Sequence, residues 1–201
     1  MITLGVTGGM GSGKSEFCKE LASLGATVLY ADDLAKELMQ KDPILKAQII
    51  GIFGEQSYLP SGELNRKYLA KQAFKQSEVN RLNEIVHPRV REETQVRKSE
   101  AESKGVKLFV KEAALLLLEG RPKEIDYVVL LMADQKKRIQ RIQERDYLSM
   151  SDILDRMNKQ QTDQEMERLS DLVIHNDGSI DDLKLKAKEL YHQLVREINL
   201  H

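Results

Sequence analysis

The chain has 201 residues, 41% of them hydrophobic, and a formal net charge of -1. That length supports one globular domain with a buried core, and that composition excludes disorder as the dominant state. The near-neutral charge argues against a general nucleic-acid binder, and no apolar run approaches the roughly 18 residues needed to span a membrane, so neither is expected as a partner.

Cys18 is the only cysteine, so no internal disulfide forms and a cytoplasmic enzyme is expected. The four histidines, His87, His175, His192 and His201, lack metal-ligand spacing and read as surface or packing residues.

In chain order, "ITLGV" (2–6) reads as a buried strand that runs into glycines, a first strand rather than a signal peptide. "KSEFCKELASLG" (14–25) has a helical period closed by Gly25. "TVLYA" (27–31) is a β-branched and aromatic strand, and "DDLAKELMQ" (32–40) is a helix with two acids at its positive end. Residues 42–105 show no convincing buried strand. Helices are expected from Pro43 to near Gly54, over 65–74 and over 77–105, with Pro88 kinking or splitting the last one. "VKLFV" (106–110), "DYVVLLMA" (126–133) and "LVIHN" (172–176) are further strands, the second buried on both faces. Helices are expected over 134–146, 151–170 and 179–200. Strands alternating with helices predict an α/β fold, a five-stranded parallel sheet covered on both sides.

Gly8 to Ser15 matches G-x-x-x-x-G-K-[ST] in full, after a strand and before a helix. Gly8, Gly11 and Gly13 let the backbone curl, so that the N–H groups from Gly9 and Met10 through Ser12 turn toward phosphate oxygens. The helix start adds its positive end, Lys14 reaches the outer phosphates, and the Ser15 hydroxyl is the expected Mg²⁺ ligand. A dinucleotide site is disfavoured, because Lys14 stands where that fingerprint wants a third glycine. Glu16 cannot donate from its ionised side chain as a threonine would; its backbone N–H still can, and its carboxylate is expected to swing toward a lysine or arginine.

Asp32 and Asp33 follow the second strand at the sheet edge where ligands bind in open α/β folds. Either is a natural helix cap, but beside a kinase loop one acid can orient or deprotonate an acceptor hydroxyl. Asp32 comes first off the strand and is the candidate; Asp33 is the cap or an exposed partner. Arg138, Arg141 and Arg145 share one helical face. Such a face is either solvated or closes over ATP, and Arg141 and Arg145 are the candidates for the second role. Arg156 and Gln160, expected in the next helix, are further candidates. Guanine-reading signatures are absent, since "NKQQ" (158–161) carries Gln161 in place of the acid. A small-molecule kinase leads. The alternatives are a kinase for another nucleotide or sugar-acid hydroxyl and a non-catalytic nucleotide sensor.

Taken in order, "TGGMGSGKS", "LYADDLAKEL", "LNEIVHPRV", "LLLLEG", "RIQERD" followed by Gln160, and "DLVIHNDGS" resemble the dephospho-coenzyme A kinase family over nearly the whole chain. The resemblance implies a three-layer, P-loop nucleoside-kinase-like fold, with ATP and Mg²⁺ used to phosphorylate the ribose 3′-hydroxyl of dephospho-CoA. It implies a nucleotide-binding core over 1–41 and 106–201, a helical substrate insertion over about 42–105 and a lid over about 138–165, in a monomer or small homo-oligomer. By motif, Asp32 matches the acid near the acceptor hydroxyl, Lys14 and Ser15 match the loop, and Arg141 and Arg145 match the lid. Asn176 and Gly178 match a loop near adenine. His87 or Arg89 is expected to face the substrate, although His87-Pro88 also suits a helix kink packed for shape. Three positions depart from the family pattern: Glu16 replaces threonine, Tyr30 replaces an acid, and Leu115 replaces a proline ahead of Glu119.

Overall fold

The computed structural model describes residues 1–75, 79–146 and 149–198. Its strands are β1 (Ile2–Thr7), β2 (Thr27–Tyr30), β3 (Leu108–Glu112), β4 (Tyr127–Met132) and β5 (Leu172–His175). They form one five-stranded sheet in the order β2-β3-β1-β4-β5, and every neighbouring pair is parallel. The expected α/β architecture is therefore present.

The sheet belongs to a compact unit made of Met1–Tyr30 and Glu100–His201. Its helices are α1 (Lys14–Ser23), α6 (Gln135–Asp146), α7 (Met150–Asn158), α8 (Asp163–Glu167) and α9 (Ile180–Ile198). Leu4 and Val6 of β1 pack with Phe17 and Leu21 of α1 and with Leu183, Ala187 and Leu190 of α9. Gly5 faces the other way, where Leu116 and Ile125 close in; a Cβ there would lie 2.7 Å from Leu116. Val128 to Leu131 are all buried, as expected of a central parallel strand.

The second unit, Ala31–Ser99, is helical. It contains α2 (Ala31–Lys41), α3 (Pro43–Phe53), α4 (Arg66–Lys75) and all but the end of α5 (Val79–Ser103), with an isolated bridge between Tyr58 and Leu64. Asp42 caps α3 by accepting from the backbone N–H groups of Ile44 and Leu45, both at 2.9 Å. Leu45, Ile49, Phe53, Leu69, Val86 and Val90 are buried.

Two expectations are corrected. The helix expected over 77–105 is described from Val79, since residues 77 and 78 lie outside the described residues, and the split expected as one outcome at Pro88 is not there: α5 runs through it as one helix. The proline removes one backbone donor, while Val86 and Val90, buried on either side of it, hold the turn by packing. The helix expected over 151–170 is two helices. α7 ends at Asn158, and α8 restarts behind a capping box in which Thr162 and Glu165 satisfy each other's backbone N–H groups.

Candidate active site

The glycine-rich loop leaves the carboxyl end of β1, the middle strand of the sheet, and enters α1 at Lys14. Gly13 sits at the helix cap with φ 100°, in the left-handed region where only glycine is comfortable. At its glycines the loop is also too crowded for a side chain. A Cβ on Gly9 would lie 2.0 Å from the Arg138 guanidinium, and one on Gly13 would lie 2.2 Å from Asn176 Nδ2.

Those two neighbours hold the loop by its backbone. Asn176 is 6% exposed and donates from Nδ2 to the Ser12 carbonyl at 2.8 Å. Arg138 is 8% exposed and donates from Nε to the Met10 carbonyl at 2.9 Å, with its guanidinium 3.5 Å from Asp163. Burial lowers the pKa of Arg138 from its ordinary value, and Asp163 acts in the opposite direction. Arg141 donates to the Asn176 carbonyl at 3.0 Å and to the Gly11 carbonyl at 3.4 Å. Gln160 accepts from the Met10 N–H at 2.9 Å.

Lys14 Nζ donates to the Gly8 carbonyl at 2.8 Å and lies 4.0 Å from Glu112 Oε1. Glu112 ends β3, in register with Val6 of β1 and Tyr30 of β2, and is 7% exposed. Sequence reasoning missed it. A lone acid closing "LFVKE" signals nothing until the strand order sets β3 beside β1. Ser15 is exposed in the first turn of α1. Glu16 pairs with Lys19 at 2.6 Å, the swing toward a lysine that its position predicts.

Arg145 differs from Arg138 and Arg141. Its guanidinium is paired at two points with Asp146, both at 2.7 Å. Gly178 is exposed between β5 and α9, where a Cβ would lie 2.5 Å from Asp182. Gln160 lies beyond the end of α7, in the connection to α8, and not within a helix as expected.

In the helical unit, Asp32 is exposed at the second position of α2 and forms no side-chain hydrogen bond or ion pair among the described residues. Asp33 pairs with Lys36 at 2.7 Å, as an exposed partner. His87 is half-buried. Arg89 donates from Nε to Asp42 at 3.1 Å and also pairs with Glu92, tying α5 to the cap of α3.

The loop's residues suit a phosphate chain and its magnesium. Its glycine positions have no room for a side chain, backbone N–H groups are concentrated, and Lys14, the Ser15 hydroxyl and the Glu112 carboxylate supply a cation and oxygen donors. The hydroxyls of Thr7 and Ser12 are buried there without a hydrogen-bond partner among the described residues. Mg²⁺ typically needs only one or two protein oxygens, in keeping with the absence of a larger acid or histidine cluster among the described residues.

A parallel sheet in this order, with a complete phosphate loop on its middle strand, defines a P-loop nucleotide-binding fold. The Dephospho-CoA kinase family model matches residues 2–182, and the chain belongs to that family. A dephospho-CoA kinase of Salinibacter ruber is 42% identical over 95% of this chain and 96% of its own length. A crystal structure of TT1252 from Thermus thermophilus superposes with a TM-score of 0.78 at 30% identity, covering 96% of this chain and 97% of its own. A Campylobacter jejuni dephospho-CoA kinase shares the fold with a TM-score of 0.63 at 22% identity, covering 96% of each chain.

Proposed function

We propose that this protein transfers the γ-phosphoryl group of ATP to the ribose 3′-hydroxyl of dephospho-CoA, yielding coenzyme A and ADP. The observation that carries this reading is membership of the dephospho-CoA kinase family over residues 2–182, a span that includes an intact phosphate loop.

In this reading the N–H groups of Gly9, Gly11 and residues 13–16 bind the phosphates, while those of Met10 and Ser12 are bonded to Gln160 and to the Gly9 carbonyl; the positive end of α1 lies behind them. Lys14 moves from the Gly8 carbonyl to the outer phosphates, and Glu112 stays within reach to orient its ammonium. Ser15 and Glu112 are the protein oxygens for Mg²⁺, which neutralises charge on the phosphoryl oxygens when bound. Asn176 and Gly178 line the adenine end. Arg141, beside the Gly11 carbonyl, supports charge developing on the transferred group, and Arg145 joins it by exchanging Asp146 for phosphate.

Asp32 orients the acceptor hydroxyl or takes its proton; its carboxylate is exposed and carries no competing side-chain bond among the described residues. The insertion over about 42–105 holds the acceptor, with His87 or Arg89 facing it, and the segment over about 138–165 serves as a lid that excludes water. The reaction is assigned to the cytoplasm, where a lone buried Cys18 stays reduced. No helix among the described residues is long and apolar enough to cross a membrane.

The test is ADP release from Mg-ATP with a panel of acceptors: dephospho-CoA, adenosine, AMP, shikimate and gluconate. Release that depends on dephospho-CoA is expected. Faster release with another acceptor, or release indifferent to all of them, overturns the reading.

A further inference from the structure

The apex of the phosphate loop carries a feature that the roles above leave unused. Met10 is held on both sides of its α-carbon by side chains from the far end of the chain. Its carbonyl accepts from Arg138, and its N–H donates to Gln160 Oε1 at 2.9 Å across 150 residues of sequence. A backbone N–H can only donate. The bond therefore fixes which end of the Gln160 amide meets the loop: the oxygen accepts from Met10, and the NH₂ group keeps both of its donors. Those two donors bond to no protein group among the described residues.

The amide is held in place by its surroundings. Gln160 follows directly on α7, and its own N–H bonds to the Met157 carbonyl at 3.1 Å. Next to it, Gln161 donates to the Leu117 carbonyl at 3.1 Å. Thr162 then opens the capping box of α8, and Asp163 pairs with the same Arg138 that grips Met10. The connection between α7 and α8 is thus anchored at every residue from 160 to 163, and the Gln160 NH₂ group is a pre-positioned donor at the loop's rim. Met10 lies four residues before Lys14, whose ammonium serves the outer phosphates. An amide bonded to the Met10 N–H therefore stands beside the loop's own N–H array, four residues before the lysine of the phosphate-loop pattern.

We propose that Gln160 is a phosphate-binding residue: its side-chain amide, oriented by the Met10 N–H, donates a hydrogen bond to the terminal phosphoryl group of the nucleotide on the loop. This rests on the reading of the loop as an ATP site. The competing role is a latch that only fastens the α7–α8 connection to the loop, and substitution separates the two. In Gln160→Glu the carboxylate still accepts from Met10, so a latch survives, but an oxygen replaces both donors and faces the phosphate. Gln160→Ala removes latch and donors together.

The experiment compares wild type, Q160E and Q160A for binding of ADP and of β,γ-imido-ATP by calorimetry, for turnover, and for melting temperature. A hydrogen bond to a charged group corresponds to a factor of about 10–100. Q160E is expected to lose about that factor in kcat and in affinity for the imido-ATP, with ADP affinity and melting temperature unchanged; Q160A loses no more than Q160E. Wild-type behaviour of Q160E, or equal losses for ADP and imido-ATP, overturns the proposal and leaves Gln160 a latch. Failure of the wild type to bind either nucleotide overturns instead the reading of the loop itself.

Discussion

The phosphate loop and the helical unit over Ala31–Ser99 are built in opposite ways. The loop is gripped from far along the chain: Asn176 holds the Ser12 carbonyl, Arg138 the Met10 carbonyl, Gln160 the Met10 N–H and Arg141 the Gly11 carbonyl. In the helical unit, polar side chains instead fasten the unit's own framework. Tyr58 donates to the Met39 carbonyl at 2.6 Å, Gln40 bridges Gly62 and Leu64, and Arg89 joins α5 to Asp42. Asp32 is a polar group of that unit with no such bond among the described residues. The difference separates two kinds of site. A backbone site must be held rigid by others, because its chemistry lies in N–H groups that cannot be exchanged. The acceptor site proposed for the helical unit needs only a scaffold and one acid left available.

Four substitutions test that contrast, in decreasing order of expected effect. Asp32→Asn removes the carboxylate proposed to act on the acceptor hydroxyl and is expected to lower kcat by roughly 10²–10⁴-fold, with ATP affinity by calorimetry unchanged. Near-normal turnover would take the chemistry away from the helical unit. Asn176→Ala leaves the Ser12 carbonyl buried without its donor and costs about 1–3 kcal/mol of stability. Chemical denaturation reads that cost, and ATP affinity falls with it; an unchanged affinity would mean that the loop keeps its shape without being held.

Asp42→Ala strips the cap from α3 together with the anchor of Arg89, at a cost of about 1–2 kcal/mol. The change is expected to raise the KM for dephospho-CoA while sparing ATP affinity. The Leu45 N–H, and after it Arg89, hold the Asp42 carboxyl below its ordinary range. Because the folded value lies below the unfolded one, its contribution is complete above about pH 4 and fades as acid protonates it. Acid unfolding of the wild type should therefore start at a higher pH than that of Asp42→Asn, compared at matched stability. Glu16→Thr has the smallest effect. It breaks the pair with Lys19 and offers a hydroxyl, tightening ATP binding by roughly 2–10-fold, the worth of one neutral hydrogen bond. Unchanged or weaker binding would show that a backbone site gains nothing from that hydroxyl.

How much was legible in the sequence follows from the same contrast. The strands and the loop could be read because their causes are local: apolar runs between turn residues, and glycines at fixed spacing. The pairing of Glu16 with Lys19 was legible for the same reason, since both lie on one helical turn. The break at 159–162 was also local, as Thr162 and Glu165 spell out a capping box, but the helical period on either side masked it. What could not be read depends on strand order and on packing at long range. Arg138 sits on a helix rich in charged residues and reads as solvated, yet it is buried against the loop. Glu112 gains meaning only because β3, and not β2, lies beside β1. Pro88 reads as a break because its missing donor is a local fact, whereas the burial of Val86 and Val90 that keeps α5 in one piece is not.

The central claim is the transfer itself, and phosphorus NMR of the product tests it most directly. With Mg-ATP and dephospho-CoA, the account predicts one new phosphomonoester resonance, coupled to the ribose H3′ proton, growing in step with ADP. Phosphate appearing at the 2′ position, or ADP accumulating without any new ester, would contradict it.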